Sequence, residues 1–298
     1  MLRISKEYVT DNLSPKNPPA ARCHTGETVV FQTRDCYDDR LAADGSVFER
    51  EKALENPATG PLYIEEAQPG DVLKVKIEKI DLNPTGLMRA STSGGAFNDL
   101  VEYRKVRQFD TSGEYLQFND KLRFKIDTMI GVIGTAPKTD TVMTHTPGSH
   151  GGNMDCNKIV AGSTLYLPVN VPGALLSMGD LHALMGDGEV MICGLETGGE
   201  VTVTVEVVKD FPMPTPALSC RGQFYTIQSA NTLDQASRMA SRAMLRFFQQ
   251  VTPMDVYDCA MLLSLRGNLS VCQIVDPQLT VRMGIENEIL DAYGVQLP

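Results

Sequence analysis

The chain has 298 residues, of which 42% are hydrophobic and 21% charged, and its formal net charge at pH 7 is −10. This composition is that of an ordinary globular protein, long enough for one large or two modest domains. The basic residues are dispersed except around Arg104, Lys105 and Arg107, so the chain has no phosphate-binding stripe. We therefore do not expect nucleic acid as a partner.

Cysteine usage points to a reducing compartment. The seven cysteines are scattered without a CxxC pair, and such an odd, irregular set in a long chain is typical of free thiols. The first residues, "MLRISKEYVTDNLSP", lack the apolar segment of a signal peptide, and no apolar run approaches the roughly 20 residues of a membrane helix. We expect a soluble cytoplasmic protein with no membrane partner.

The first two thirds of the chain predict a β structure. Short β-like runs are separated by Gly, Pro and Asp, namely "ETVVFQTRD", "DVLKVKIEKIDL", "KLRFKID", "GVIGTA", "STLYLPVNV", "VMICGLE" and "EVTVTVEVVKDF". This spacing is typical of an antiparallel β domain. Residues 201–208, "VTVTVEVV", alternate apolar and polar positions as a half-buried strand does. Residues 92–106 have weak periodicity, and we predict an irregular insertion there.

The last third predicts helices as well as strands. Three prolines at 212–216 mark a break, and the following segment has apolar residues at helical spacing behind Thr232, its predicted N-cap. A second helix is predicted after Thr252 as N-cap and Pro253 as first helical residue, ending at Gly267. Two strands, "NLSVCQIVD" and "LTVRMGI", complete this part.

These patterns predict a mainly β protein with a mixed α/β C-terminal part. The expected architecture is an antiparallel β-sandwich-like body that carries two adjacent helices. Residues 1–210 would form the β-rich body with the metal and active site. Residues 211–298 would form the mixed part, packed on the body as one compact unit.

One acidic segment, "GDLHALMGDGEV" at 179–190, stands out as a candidate site. Asp180 and His182 are two residues apart, which on an extended backbone sends both side chains to one face. Gly186 and Gly188 permit the turn that would return Glu189 to the same place. The alternative is a β-hairpin with a polar tip, because Gly, Asp and Glu are common in turns.

A second candidate region lies upstream and contains two more of the four histidines. The segment "THTPGSHGGNMDCN" carries His145, His150, Asn153 and Asp155 around two glycines, and Asx turns or a polar loop are the structural alternatives. Three of the four histidines fall within 145–182, near a concentration of carboxylates. Further candidates stand at the ends of predicted strands or just before one, namely Asp35, Glu196, His24 and Glu27.

Several known kinds of site are excluded. No HxH, HExxH or GGSSGG run is present, no cysteine has the surroundings of a nitrilase nucleophile, and the acidic segment lacks the spacing of an EF-hand. A metal, if one is used, would therefore be held mainly by carboxylates with one or two histidines.

With these residues in view, the chain resembles the acetamidase/formamidase family in its short bacterial form. The resemblance rests on "GPLYIEEAQPGDVLKVKIEKI", "GGNMDCN", "GSTLYLPVNVPGALLSMGDLHALMGDGEV" and "GLE", in the family's order across roughly 25–210. It implies hydrolysis of acetamide or formamide to the carboxylate and ammonia, an associated zinc or calcium ion, and a homodimer or higher homo-oligomer. The matched positions are Asp35, Asp155, Asp180, His182, Glu189 and Glu196.

A mechanism follows as a hypothesis. Asp155, Asp180 and His182, with Asp35, would hold a divalent metal, most simply zinc, with calcium as the second choice. Catalysis would need Glu189 as the group that moves the proton from water to the leaving nitrogen, and two residues that orient the substrate, Glu196 and Asn153. A substrate as small as acetamide predicts a narrow, mostly enclosed pocket. The alternatives are hydrolysis of another small amide or imide, and a noncatalytic, calcium-stabilised β protein.

Overall fold

The computed structural model describes all residues, 1–298, and contains 22 strands and three helices. The strands are β1 (Leu2–Ile4), β2 (Val9–Thr10), β3 (Asn12–Leu13), β4 (Ala21–Cys23), β5 (Thr28–Thr33), β6 (Ala58–Ile64), β7 (Val72–Leu82), β8 (Thr85–Ala90), β9 (Lys105–Asp110), β10 (Tyr115–Gln117), β11 (Arg123–Lys125), β12 (Met129–Gly134), β13 (Val142–Met143), β14 (Gly151–Asn153), β15 (Thr164–Pro168), β16 (Leu176–His182), β17 (Glu196–Thr197), β18 (Gly199–Val208), β19 (Ala217–Cys220), β20 (Gln223–Ala230), β21 (Asn268–Gln273) and β22 (Leu279–Glu286). The helices are α1 (Leu233–Val251), α2 (Val256–Arg266) and α3 (Asn287–Asp291).

Two nine-stranded sheets form the body of the protein. The first has the order β1-β5-β18-β7-β15-β19-β20-β22-β21, and all its neighbouring strands are antiparallel except β1 and β5. The second has the order β14-β12-β16-β17-β8-β9, with β6 also beside β16 and with β2 and β4 paired to β6. The predicted mainly β, antiparallel architecture is confirmed.

The main apolar core takes side chains from both sheets, as a sandwich requires. Strands β5, β7 and β18 contribute from the first sheet, and β6, β12 and β16 contribute from the second. In β18, Val201, Val203 and Val205 are buried while the polar residues between them are only partly so. The alternation predicted for residues 201–208 is therefore present.

The C-terminal part continues the first sheet. Strands β19 to β22 are its last four members, and α1 packs on β20 and β22 through a second apolar core that includes Ala240, Met244 and Phe247. No helix is long and apolar enough to cross a membrane. The boundary predicted at residue 210 thus falls between strands that share one sheet.

Two local predictions are wrong. Helix α2 begins at Val256, because the side chain of Asp255 accepts hydrogen bonds from the N–H groups of Tyr257 and Asp258, whereas Thr252 is the C-cap of α1. The predicted strand over 190–196 is a loop up to residue 195, and only its last residue, Glu196, begins a strand. Cys193 and Leu195 of this segment are buried although it has no partner strand.

The N-cap of α1 provides a test of the fold. The hydroxyl of Thr232 accepts a hydrogen bond from the N–H of Gln235, as predicted for this cap. We expect Thr232→Ala to lower the free energy of unfolding by about 1 kcal/mol, because the helix loses that acceptor. Ser237→Ala, inside the same helix, should not lower it. Denaturant unfolding of both variants measures the difference, and equal effects would contradict the role of the cap.

Candidate active site

Five of the predicted residues meet in one buried cluster centred on the imidazole of His182. Its Nε2 lies 3.2 Å from Glu196 Oε2, 3.3 Å from Asp180 Oδ1 and 3.9 Å from Asp155 Oδ1. Glu189 belongs to the same group, because its carboxylate, that of Asp155 and the His182 ring have ligand atoms within 4.8 Å of one another. All five residues are buried.

The second sheet positions this cluster. Asp180 and His182 end the central strand β16, Glu196 lies in the adjacent β17, and Asp155 follows the edge strand β14. Glu189 comes from the loop between β16 and β17. The strand order β14-β12-β16-β17 within one sheet therefore brings together residues up to 41 positions apart in sequence (155 to 196).

The backbone at three of these carboxylates is unusual. Asp155, Asp180 and Glu189 have positive φ angles of 44°, 58° and 46°, a region in which residues other than glycine are uncommon. In β16, Met178 and Leu181 both belong to the main core, so the usual side-chain alternation is interrupted between them, where Asp180 lies. The proximity of Asp180 and His182 therefore does not come from the regular extended strand that we assumed. Such strain clusters at functional sites.

Glycine at position 131 leaves open the space between two carboxylates. Gly131 lies in β12, beside β16, and a Cβ atom there would come within 2.6 Å of Asp155 Oδ1 and 2.7 Å of Asp180 Oδ2. A side chain at this position would thus collide with an oxygen of both carboxylates.

The cluster holds more buried oxygens than it has hydrogen-bond donors. Both carboxylate oxygens of Asp155, Oε2 of Glu189 and Oε2 of Glu196 are buried without a hydrogen bond. Burial of an unpaired carboxylate is costly unless a cation or a proton neutralises it. Metal–ligand bonds of about 2.0–2.2 Å place ligand atoms roughly 3 to 3.5 Å apart, close to the spacing around His182 Nε2. The donor set therefore fits a divalent cation.

Electrostatics support the same conclusion. Burial, helped by the nearby Asp180 carboxylate, raises the pKa of Asp155 to about 6 and that of Glu196 to about 7. Burial and the charge of Asp155 raise the pKa of Glu189 well above its usual value. For His182, burial would lower the pKa, but Glu196 and Asp180 outweigh it and raise the pKa. Without a further cation, the four carboxylates of the cluster share a single imidazole as their source of positive charge.

Asp276 is a member of the site that sequence reasoning missed. Burial and the charge of Asp155 raise the pKa of Asp276 well above its usual value, and Asn153 Nδ2 donates to its Oδ2 at 3.0 Å. Asn56 was missed as well, and its Nδ2 donates to Asp180 Oδ2 at 3.1 Å. Both residues lie far in sequence from the acidic segment and outside the family blocks. Their only local signal is a polar residue next to a proline in a loop.

Asp35 is not brought into this cluster. Its Oδ1 accepts the backbone N–H groups of Tyr37 (2.9 Å) and Asp39 (2.8 Å), so it caps the turn after β5. Burial raises the pKa of Asp35 to about 6. His24 is exposed and hydrogen-bonds to Glu66 on the surface.

The two remaining histidines differ in their surroundings. His150 is buried beside the glycines of β14, and burial lowers its pKa to about 4. His145 lines the cavity described next, and its Nδ1 is buried without a hydrogen bond.

A cavity of about 550 Å³ opens above the cluster. Its floor includes Asp180, Glu189, Glu196, Asn153 and Asp276. The volume falls in the range of pockets for ligands much larger than acetamide, about 300–1,000 Å³. The expectation of a narrow, mostly enclosed pocket is therefore wrong, and residues from 36–56 and 89–104 line this open cavity together with the floor.

Comparison with known proteins identifies the family to which the chain belongs. The sequence profile described as "Acetamidase/Formamidase family" matches residues 3–147 and 139–230. The chain belongs to the acetamidase/formamidase family. The predicted resemblance is confirmed, and the matched region contains every member of the cluster except Asp276.

Solved structures of this family share the whole fold. An acetamidase from Bacillus halodurans is 41% identical with a TM-score of 0.93, and the match covers 99% of this chain and 100% of that one. A predicted acetamidase/formamidase from Thermoanaerobacter tengcongensis is 38% identical with a TM-score of 0.95, covering 99% of both chains. An acetamidase of Mycolicibacterium smegmatis is 25% identical over 65% of this chain. The chain spans under two thirds of the length of the curated relatives that it matches, 64% for this acetamidase.

In this family member, the loop that carries Glu189 is anchored by the C-terminal part of the chain. The buried guanidinium of Arg282 donates two hydrogen bonds to Asp187, at 2.8 and 2.6 Å. The N–H of Gly188 donates to Cys272 O at 2.9 Å, and Gly188 O accepts from Ile274 at 3.1 Å. The loop is therefore fixed next to Glu189 in two ways, by the ion pair of Asp187 and by the backbone hydrogen bonds of Gly188.

We expect Asp187→Asn to loosen this loop, because the neutral amide cannot complete the paired, charge-assisted contact with Arg282. Backbone hydrogen exchange at Gly188 should accelerate and turnover should fall about tenfold, since small displacements of a reacting group are costly. Asp81→Asn removes a surface ion pair with Lys79 and should change neither quantity. Unchanged exchange at Gly188 in the Asp187 variant would show that the pair does not hold the loop.

Proposed function

We propose that this protein is a metal-dependent amidohydrolase that cleaves a small amide to the carboxylate and ammonia. The observation that carries the proposal is the buried group of unpaired carboxylate oxygens around His182 Nε2, on the floor of a cavity. Membership of the acetamidase/formamidase family agrees with it. Relatives named acetamidase make short linear amides the first substrates to test.

The proposed ligands are Asp155, Asp180 and His182, with Glu196 as a further oxygen donor. Glu196 was predicted to orient substrate, but its Oε2 is as near to His182 Nε2 as Asp180 Oδ1 is. Asp35 is left out, because backbone N–H groups already occupy its Oδ1. An imidazole among carboxylates favours zinc over calcium, which prefers oxygen ligands alone.

A divalent cation in such a site supplies two things when bound, a lowered pKa for a coordinated water and a polarised carbonyl oxygen. The chain's own groups do the rest. Glu189 lies on the cavity floor with a free Oε2 and a raised pKa, so it can take a proton from the attacking water. As the C–N bond breaks, Glu189 returns that proton to the departing nitrogen.

Asn153 is placed to orient the amide. Its Nδ2 is engaged with Asp276, while its Oδ1 is buried without a hydrogen bond and lies at the cavity. This oxygen can accept an N–H of the substrate amide, which would turn the nitrogen toward Glu189. Asp276 fixes the Asn153 side chain in that orientation.

Ammonia release from formamide, acetamide and propionamide tests the proposal, and ring opening of a γ-lactam, which gives an amino acid and no ammonia, is followed by chromatography. We expect turnover of at least one linear amide, its loss after dialysis against a chelator, and its return with zinc. Turnover of the lactam alone would show that the substrates are cyclic amides and not linear ones. A fall in melting temperature with chelator, without turnover of any amide, would instead support a noncatalytic, calcium-stabilised protein. Sedimentation measures the proposed homodimeric or higher assembly separately.

A further inference from the structure

Besides its acidic floor, the cavity has a wall that is rich in arginine. Arg40, Arg89 and Arg104 line it, although the chain as a whole carries a net charge of −10. Arg40 shares the buried Asp38 with Arg34 and Arg50. Even with Glu7, which also contacts Arg34, two carboxylates face three guanidinium groups, so positive charge is left over here.

Arg89 has no acidic partner. It forms no salt bridge, and its Nε is buried without a hydrogen bond. Its guanidinium carbon lies 5.3 Å from the ring centroid of Tyr37, whose hydroxyl is also buried and unpartnered. The backbone of Arg89 is fixed by Cys193, whose Sγ accepts from its N–H at 3.4 Å and donates to its carbonyl at 3.1 Å.

These two side chains leave donors without acceptors beside the cavity. Burial raises the pKa of Tyr37, so its phenol keeps the proton that it can donate. Unmet buried donors cost free energy, and a ligand that supplies acceptors recovers it. A guanidinium and a phenol together match an anion, because the planar arginine fork binds both oxygens of a carboxylate.

We propose that the amide substrate carries a carboxylate group, bound by Arg89 and Tyr37 while its amide lies over Glu189. The substrate class is the monoamide of a short dicarboxylic acid. This rests on the proposed function and deepens it. Water adds to the amide carbon, the C–N bond breaks, and the products are the dicarboxylate and ammonia, which takes up a proton. The cavity of about 550 Å³ has room for such a molecule.

The other charges at the cavity are compatible with this assignment. Arg104 is exposed, donates to Gly45 O at 2.8 Å and has no carboxylate partner. Glu55 is the one lining carboxylate outside the acidic floor, and it is exposed to solvent. An anionic group would thus meet positive charge on the arginine wall and be repelled from the floor, which fixes its orientation.

Succinamate and succinamide provide a matched pair of substrates, because they differ only in a carboxylate against a neutral amide. Succinamide has two equivalent amide groups, so its kcat/KM is halved for the comparison. We expect kcat/KM for succinamate to exceed this value by at least about tenfold, which corresponds to one charge-assisted contact. In Arg89→Gln this ratio should fall to about 1. Arg89→Lys should retain part of it, because lysine keeps the charge but loses the fork.

Arg22→Gln is the matched control. Arg22 also stacks on a tyrosine, 4.1 Å from the ring centroid of Tyr63, but it is exposed and paired with Glu65. Its removal should leave the ratio unchanged. A wild-type ratio below about 2, or a ratio that Arg89→Gln does not lower, would overturn the assignment while amide hydrolysis itself stands.

A binding measurement separates this inference from the proposed function. If no amide is turned over, thermal unfolding with succinate and with succinamide still tests the arginine wall. A melting temperature that rises with succinate in the wild type and not in Arg89→Gln would support the anion site. Equal shifts in the two proteins, or no shift with succinate, would overturn it.

Discussion

Glu189→Gln should retain the fold and the bound metal but lose turnover by at least about 100-fold. Glutamine has the shape of glutamate but cannot take a proton from water, and general acid–base help is typically worth about 10²–10⁴-fold. The buried carboxyl of Glu189 has a raised pKa and an unpaired Oε2, so its replacement removes a destabilising group. We therefore expect no loss of melting temperature. Metal content is measured by plasma mass spectrometry after gel filtration.

His182→Ala is the companion variant, and it should lose both metal and turnover. The imidazole is the only nitrogen ligand in the cluster, and its removal leaves the carboxylates of Asp180 and Glu196 without the ring that both of them face. His24→Ala is the matched control, because His24 lies on the surface beside Glu66. If Glu189→Gln also loses its metal, Glu189 is a ligand. If it turns over normally, Glu189 has no part in proton transfer.

The members of the cluster could be predicted from the sequence because they stand out chemically. Asp180, His182 and Glu189 lie in one acidic segment, and histidine is rare in this chain. Asp155 follows a pair of glycines and lies near two further histidines in the sequence. All of them converge as expected. The approach of Asp180 to His182 had a different cause, since it depends on a left-handed residue inside a strand. A pattern of residue types does not encode such a backbone angle.

Asp276 and Asn56 show why the site could not be completed from local patterns. Asp276 reaches the cluster because β21, which ends three residues earlier, lies at the edge of the first sheet beside the Glu189 loop. This proximity depends on the order of nine strands. Single-strand patterns predict the strands but not their order across a sheet.

Elements with strong local signals were predicted closely, and those with competing signals were not. Helix α1 begins after Thr232 as expected, because the cap and the apolar periodicity agree. At the start of α2, Thr252 and Asp255 are both good caps, and the structure uses Thr252 to end α1 instead. The apolar residues at 190–195 predict a strand, but most of them instead line a separate apolar hollow, together with Leu116 and Phe124 of the paired strands β10 and β11.

Gly131→Ala should abolish metal binding without unfolding the protein. The added methyl would lie 2.6 Å from Asp155 Oδ1 and 2.7 Å from Asp180 Oδ2, closer than Cβ atoms approach oxygen in proteins. The two carboxylates must move apart, and the backbone oxygen of Asp180, 3.0 Å from the same methyl, limits how far the strand can adjust. We expect metal content to fall to background and turnover to fall at least about 100-fold, since a displacement near 1 Å can cost that much.

Gly113→Ala is the control for this substitution, because its Cβ would meet only Tyr115 backbone atoms at 3.9 Å. The φ angle of Gly131 is not in the left-handed region, so alanine adds no backbone strain there, and its lower chain entropy in the unfolded state favours the fold. A folded Gly131→Ala protein with full metal content would mean that no cation lies between Asp155 and Asp180. Circular dichroism and the melting temperature establish folding independently of activity, so a loss of metal with an intact fold would show that metal binding depends on the positions of these two carboxylates.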